Sequence, residues 1–168
     1  MPTAREPLLD AVVQAAQGAV VEREFPLAGF VRLRDRLAET GGVAHVRLAM
    51  RTVDTVPAGA LDVRAGVTLV CQRCLQPMPH DLRADSRLAF VMQESDRVPA
   101  GHEAITGDPK RVDLAGLVED ELLLALPVIA RHAHGADCRV PADVAPAEEP
   151  AAPGMRRPFA GLKDLLKH

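Results

Sequence analysis

Alternation of apolar and polar residues dominates the first two-thirds of the chain and predicts a β-rich fold. In residues 43–53, Ala44, Val46, Leu48 and Met50 fall on the face opposite His45, Arg47 and Arg51, the period of a strand with one buried side. Residues 61–70 alternate more cleanly, with Leu61, Val63, Ala65, Val67 and Leu69 on one side and Asp62, Arg64 and Thr68 on the other. Residues 80–91 repeat the pattern, placing Leu82, Ala84, Leu88 and Phe90 inward and Asp81, Arg83, Asp85 and Arg87 outward. Residues 19–25 read as a first strand. Together these segments predict an antiparallel sheet with one wet face.

Two stretches read as helices inside this β pattern. Residues 30–39 set Val31, Leu33, Leu37 and Ala38 against Arg32, Arg34, Asp35 and Arg36, and Gly41-Gly42 ends the segment. Asp113 caps a longer helix that runs to about Leu126 and stops at Pro127. Residues 93–111, with Pro99, Gly101, Gly107 and Pro109, read as loop. Residues 139–158 hold five Pro and five Ala in twenty positions with no net charge, the composition of an extended linker. Beyond it, Phe159, Leu162, Leu165 and Leu166 form a one-faced apolar stripe that either folds back on its own domain or docks in a partner's groove. The expected architecture is α+β: a mainly antiparallel sheet with a few short helices and a cysteine knuckle at a strand end. That domain covers 1–138, a flexible linker 139–157, and a short amphipathic helix 158–168.

Composition narrows the function. Of 168 residues 48% are hydrophobic, but with four Phe and no Tyr or Trp the core must be aliphatic. The formal charge is −3: residues 1–90 carry eleven Arg and no Lys against ten acids, and residues 91–168 carry nine bases against thirteen acids. Neither half has the basic stripe that neutralises phosphates, and base-stacking aromatics are missing. The composition therefore does not argue for direct, tight RNA binding. The longest charge-free run near the start, residues 11–21, is too short and too polar to span a bilayer or act as a signal. Three cysteines do not suit a disulfide scaffold. A soluble, cytoplasmic protein without membrane attachment is expected.

The candidate chemistry is sparse. Cys71-Gln72-Arg73-Cys74 lies at the end of the best strand, and two-residue spacing lets both thiolates enter one tetrahedral metal site or form a redox disulfide. Redox use would want the motif to open a helix, and Pro77 and Pro79 oppose one there; a knuckle between two strands fits better. Cys138, with His132 or His134 six or four residues before it, completes a candidate Cys₃His set with Cys71 and Cys74. His132 is the better ligand because it lies nearer the preceding helix, whereas Gly135 loosens the chain around His134. The alternative is that the cysteines are small buried residues and the histidines exposed loop residues. Such a metal would be a structural zinc.

On the helix after Asp113, Leu114, Leu117, Val118, Leu122 and Ala125 share one face; Glu121 projects inside that face, Glu119 and Asp120 outside it. A core-facing carboxylate is costly unless partnered, so Glu121 is expected to pair with a buried arginine. No second acid or base stands at catalytic spacing to it, and no phosphate loop, nucleophile elbow or HExxH motif is present. Nothing points to a small-molecule substrate.

Several of these segments resemble, in order and approximate spacing, the YceD family. They are Cys71-Gln72-Arg73-Cys74-Leu75, and Val112-Asp113-Leu114 leading into Leu117-Val118-Glu119-Asp120-Glu121-Leu122-Leu123-Leu124-Ala125-Leu126-Pro127, then His132, Cys138 and Pro158-Phe159-Ala160-Gly161-Leu162. The resemblance covers about residue 61 to the C-terminus; the first sixty residues match only in length and pattern. The gap between His132 and Cys138, and the extra His134, depart from the family's spacing. The resemblance implies a bacterial cytoplasmic factor for synthesis, processing or stability of 23S ribosomal RNA. It also implies a gene beside that of a small zinc-binding large-subunit ribosomal protein. It carries over no catalytic residue, so the chain is expected to be non-enzymatic, with ribosomal RNA or large-subunit assembly components as partners through protein contacts. A cytosolic thiol-redox or zinc-binding protein acting through the CxxC pair is the alternative.

Overall fold

Residues 8–94, 96–133 and 138 are described by the computed structural model. Their order is α1 (Ala11–Gln17), β1 (Val20–Pro26), a 3₁₀ turn (Leu27–Gly29), α2 (Val31–Arg34), β2 (Val43–Val53), β3 (Val56–Val70), β4 (Pro77–Val91), β5 (Glu103–Thr106) and α3 (Leu114–Leu124). The strands form one sheet in the order β1-β2-β3-β4-β5. The first four strands pair antiparallel with their neighbours. β5 returns parallel to β4, pairing Leu88 with Glu103 and Val91 with Thr106.

The predicted alternation holds along the long strands. Ala44, Val46, Leu48 and Met50 of β2, Leu61 to Leu69 at every second position of β3, and Leu82, Leu88 and Phe90 of β4 are buried. α1 packs over β2 and β3, and α3 over β3 and β4, so an aliphatic core fills one face of the sheet. The other face carries the charges, with ion pairs from Arg47 to Glu22 and from Arg64 to Asp62. Pro77 and Pro79 sit in β4 beyond the stretch that β5 pairs, where a missing N–H leaves no ladder bond unmade. β2 and β3 join through Asp54-Thr55, both at positive φ (47° and 69°), as a two-residue type I′ hairpin demands.

Three elements differ from the sequence expectation. The helix expected over 30–39 is a single turn, Val31–Arg34. After it the chain tightens through Arg36 N–H to Leu33 C=O and Leu37 N–H to Arg34 C=O, and Ala38 N–H then bonds Thr68 C=O on β3. That bond to the end of β3, beyond the stretch that β2 pairs, wins over helix continuation. The loop expected over 93–111 contains β5. α1 was not expected at all; Asp10 caps it by accepting from Val13 N–H, and Gly18, at φ 61°, closes it. The linker and the C-terminal amphipathic helix expected after Cys138 lie outside the described residues.

Candidate metal centre

The CxxC motif occupies the turn between β3 and β4. Cys71 N–H bonds Gln76 C=O, and Leu75 N–H bonds back to Cys71 C=O, with Leu75 at φ 59°. This closes residues 71–76 into the knuckle that Pro77 and Pro79 suggested. Gln72 N–H bonds Ala130 C=O at 2.8 Å, which ties the knuckle to the chain leaving α3. Pro127 ends the helical path, and His132 and Cys138, further along the chain, lie at the knuckle. Local turn chemistry and one long-range backbone bond thus bring together residues 67 positions apart.

The four side chains converge. Cys71 Sγ lies 3.7 Å from Cys138 Sγ, and Cys74 Sγ lies 3.4 Å from His132 Nδ1. All four ligand atoms fall within 4.8 Å of one another, a group positioned to hold a metal ion. Cys71 and Cys74 are buried, and His132 and Cys138 are half-buried. His134 lies outside the described residues. The electrostatics suit a thiolate cluster. Burial pushes the Cys71 thiol up, but the N–H groups of Cys74, Arg73 and His132 and the Cys74 side chain outweigh it and bring it to about 5. Burial pushes Cys138 up to about 11, and the neighbouring Cys71 and Cys74 sulfurs reinforce the rise. Cys71 is thus pushed toward the thiolate and Cys138 toward the thiol; a bound cation would favour the thiolate at Cys138 as well.

The three acids of Glu119-Asp120-Glu121 have different partners, and two of these depart from the sequence reading. Glu121 is buried as its projection required, but it accepts a hydrogen bond from the Ser86 hydroxyl at 2.7 Å rather than pairing with an arginine. Glu119, expected outside the core face, is also buried. Its Oε1 accepts from Arg32 N–H at 2.6 Å and Leu33 N–H at 3.1 Å, and its Oε2 accepts from the Arg32 guanidinium. α2 has no side-chain cap of its own, so a carboxylate from α3 caps it at long range. Asp120 takes the remaining arm of Arg32 at 2.6 Å. These acids fasten α3 to α2 and β4; none belongs to the Cys/His group. Arg32 and Ser86 carried no motif, and only the free N–H groups that every helix start presents could have signalled Glu119's role.

A mainly antiparallel sheet with helices on one face and a Cys₃His cluster at a strand-turn defines an α+β domain built around one candidate metal centre. A family model described as "Large ribosomal RNA subunit accumulation protein YceD" matches residues 60–166, well over half of the chain, and the chain belongs to that family. It is 35% identical over 111 residues to the large ribosomal RNA subunit accumulation protein YceD of Haemophilus influenzae, an alignment covering 61% of this chain and 62% of that protein. The chain thus spans less than two-thirds of that relative's length. No solved structure matches it. No helix among the described residues is long and apolar enough to cross a membrane.

Proposed function

We propose that the chain is a non-enzymatic cytoplasmic factor for accumulation of 23S ribosomal RNA in large-subunit biogenesis, with a structural zinc held by Cys71, Cys74, Cys138 and His132. The cluster geometry carries the metal part of this reading. Tetrahedral zinc with Zn–S of about 2.3 Å and Zn–N of about 2.0 Å separates its sulfurs by about 3.8 Å and sulfur from nitrogen by about 3.5 Å. Two of the six ligand–ligand distances here are 3.7 and 3.4 Å, and all lie within 4.8 Å. Four protein ligands leave no open position for a substrate, the mark of a structural rather than a catalytic zinc. The family's printed name supports the ribosomal part. Partners are then large-subunit assembly components reached through protein contacts, since the charged sheet face mixes both signs. The Pro/Ala-rich stretch 139–157 and the apolar stripe of 158–168 belong to the same proposal, as tether and second contact.

One experiment tests the whole reading. In a deletion strain, the intact gene should restore the ratio of 23S to 16S ribosomal RNA, and a Cys71→Ser, Cys138→Ser double variant should not. A normal ratio in the deletion strain would overturn the ribosomal reading. Full rescue by the double variant would overturn the role of the metal. Truncation after Ala152 that leaves the melting temperature unchanged but abolishes rescue would support the second contact; a large loss of melting temperature would instead assign those residues to the fold. The lowered Cys71 thiol is the one observation favouring thiol redox chemistry, although a metal thiolate needs the same property. Thiol titration with and without chelator separates the two, because a redox cysteine stays reactive in protein that has never been stripped of metal.

A further inference from the structure

The chain leaving α3 exposes bulky apolar residues beside the knuckle. Val128 is fully exposed, Ile129 is 55% exposed and Leu75 is 56% exposed. Single exposed apolar residues are ordinary, but Val128 lines a concavity, and Ile129 follows it in the chain. Leu69 and Val70 at the end of β3 and Leu126, Pro127 and Val128 after α3 line a groove of about 230 Å³. The Gln72–Ala130 backbone bond joins its two walls. Leu75 adds a second anomaly on the same knuckle. Its φ of 59° is one that glycine adopts freely and a leucine only with strain, yet the strain holds an apolar side chain out in water. Closing the knuckle requires that backbone conformation, but it does not require a bulky apolar side chain there.

One cation lines the groove and two more adjoin it in sequence. Arg36 lines the groove, and Arg73 and Arg131 adjoin Gln72 and Ala130, the two residues bonded across it. All three are exposed, and among the described residues none has an ion-pair partner, whereas Arg32, Arg34, Arg47 and Arg64 each have one. We propose that this groove is a docking site for a protein segment carrying bulky apolar residues flanked by carboxylates. Aliphatic walls fit apolar side chains, and the Arg36 guanidinium at the groove, with Arg73 and Arg131 next in sequence to two of its lining residues, fits carboxylates. RNA suits the site less, since no aromatic ring lines it to stack a base. A second copy meeting the same patch across a twofold axis would set arginines against arginines.

Photocrosslinking in native host cells tests this. The full chain carries p-benzoylphenylalanine at position 128, where the side chain is fully exposed, and the same probe at position 60 on the charged sheet face serves as control. The expected result is an adduct from position 128, weak or absent from position 60, that maps to a protein segment with bulky apolar residues and adjacent acids. Its yield should fall about tenfold with Leu75→Gly, which relieves backbone strain, and with Arg36→Glu, at a melting temperature no lower than the parent's. Adducts to RNA, to the chain itself or to a segment lacking acids would overturn the proposal. So would equal yields from both positions, no adduct from either, or yields indifferent to the two variants. The docking site stands on the folded domain alone, so it can fail without the ribosomal reading failing, and the reverse.

Discussion

Replacing Glu119 by alanine removes the acceptor of two backbone N–H groups at the start of α2 and should cost about 3 kcal/mol. Leu33 is wholly buried, so its N–H, now bonded to Glu119 at 3.1 Å, would be left without water; that costs about 1–3 kcal/mol. The Arg32 N–H is part-buried, and its loss resembles the loss of a helix cap, about 1 kcal/mol. The ion pair adds little, because half of the Arg32 side chain faces water. In a fold of this size, 3 kcal/mol should lower the melting temperature by about 10 °C, measured by far-ultraviolet circular dichroism. Glu119→Gln keeps one accepting oxygen and should lose about half as much, roughly 1.5 kcal/mol. Asp120→Ala should change nothing measurable, since both partners are half-exposed. A Glu119→Ala protein within about 0.5 kcal/mol of the parent would refute the capping argument, as would equal effects at Glu119 and Asp120. The pH dependence has a definite sign. Burial raises the Glu119 carboxyl, but the Leu33 N–H and Arg32 outweigh it and hold it below its ordinary 4.5. The stabilisation is therefore fully present above 4.5 and is lost as pH falls through the lower, folded value. The gap between parent and Glu119→Gln should be constant at neutral pH and close on acidification.

Two further predictions concern the sheet. Ser86→Ala leaves the buried Glu121 carboxylate without its hydroxyl partner and should destabilise by about 1–3 kcal/mol, recovered when Glu121→Leu is added; a double-mutant cycle showing no coupling would exclude the bond. Thr55→Gly relieves a β-branched residue at φ 69° and should raise stability by about 0.5–1 kcal/mol in urea denaturation, despite the added chain entropy; a loss would mean that the turn is not strained at that position.

What the sequence showed and what it hid follow from the range of the interactions concerned. β2, β3 and β4 were legible because each buries one face, and burial imposes a period of two that a single strand displays by itself. β5 was hidden: Glu103-Ala104-Ile105-Thr106 is short, and it is held by pairing with β4 rather than by its own pattern. α2 was overextended because the apolar residues at 37 and 38 look helical until the end of β3 captures Ala38 N–H. Glu121 was placed on the right face with the wrong partner, since projection gives a direction and not the residue opposite. Glu119 was misplaced for the same reason in reverse: the apolar stripe omits a neighbouring helix that lacks a cap. That Cys71, Cys74, Cys138 and His132 come together was legible because the chemistry of a candidate metal site restricts both residue type and local spacing. That the knuckle reaches Cys138 through a Gln72–Ala130 backbone bond was not written in either segment alone.

X-ray absorption at the zinc edge, on protein purified without chelator, tests the central claim most directly. The account predicts one zinc per chain with three sulfur neighbours at about 2.3 Å and one nitrogen at about 2.0 Å, and loss of that signal in Cys138→Ser. Less than about a tenth of an equivalent of zinc, or zinc surrounded only by oxygen and nitrogen, would contradict it.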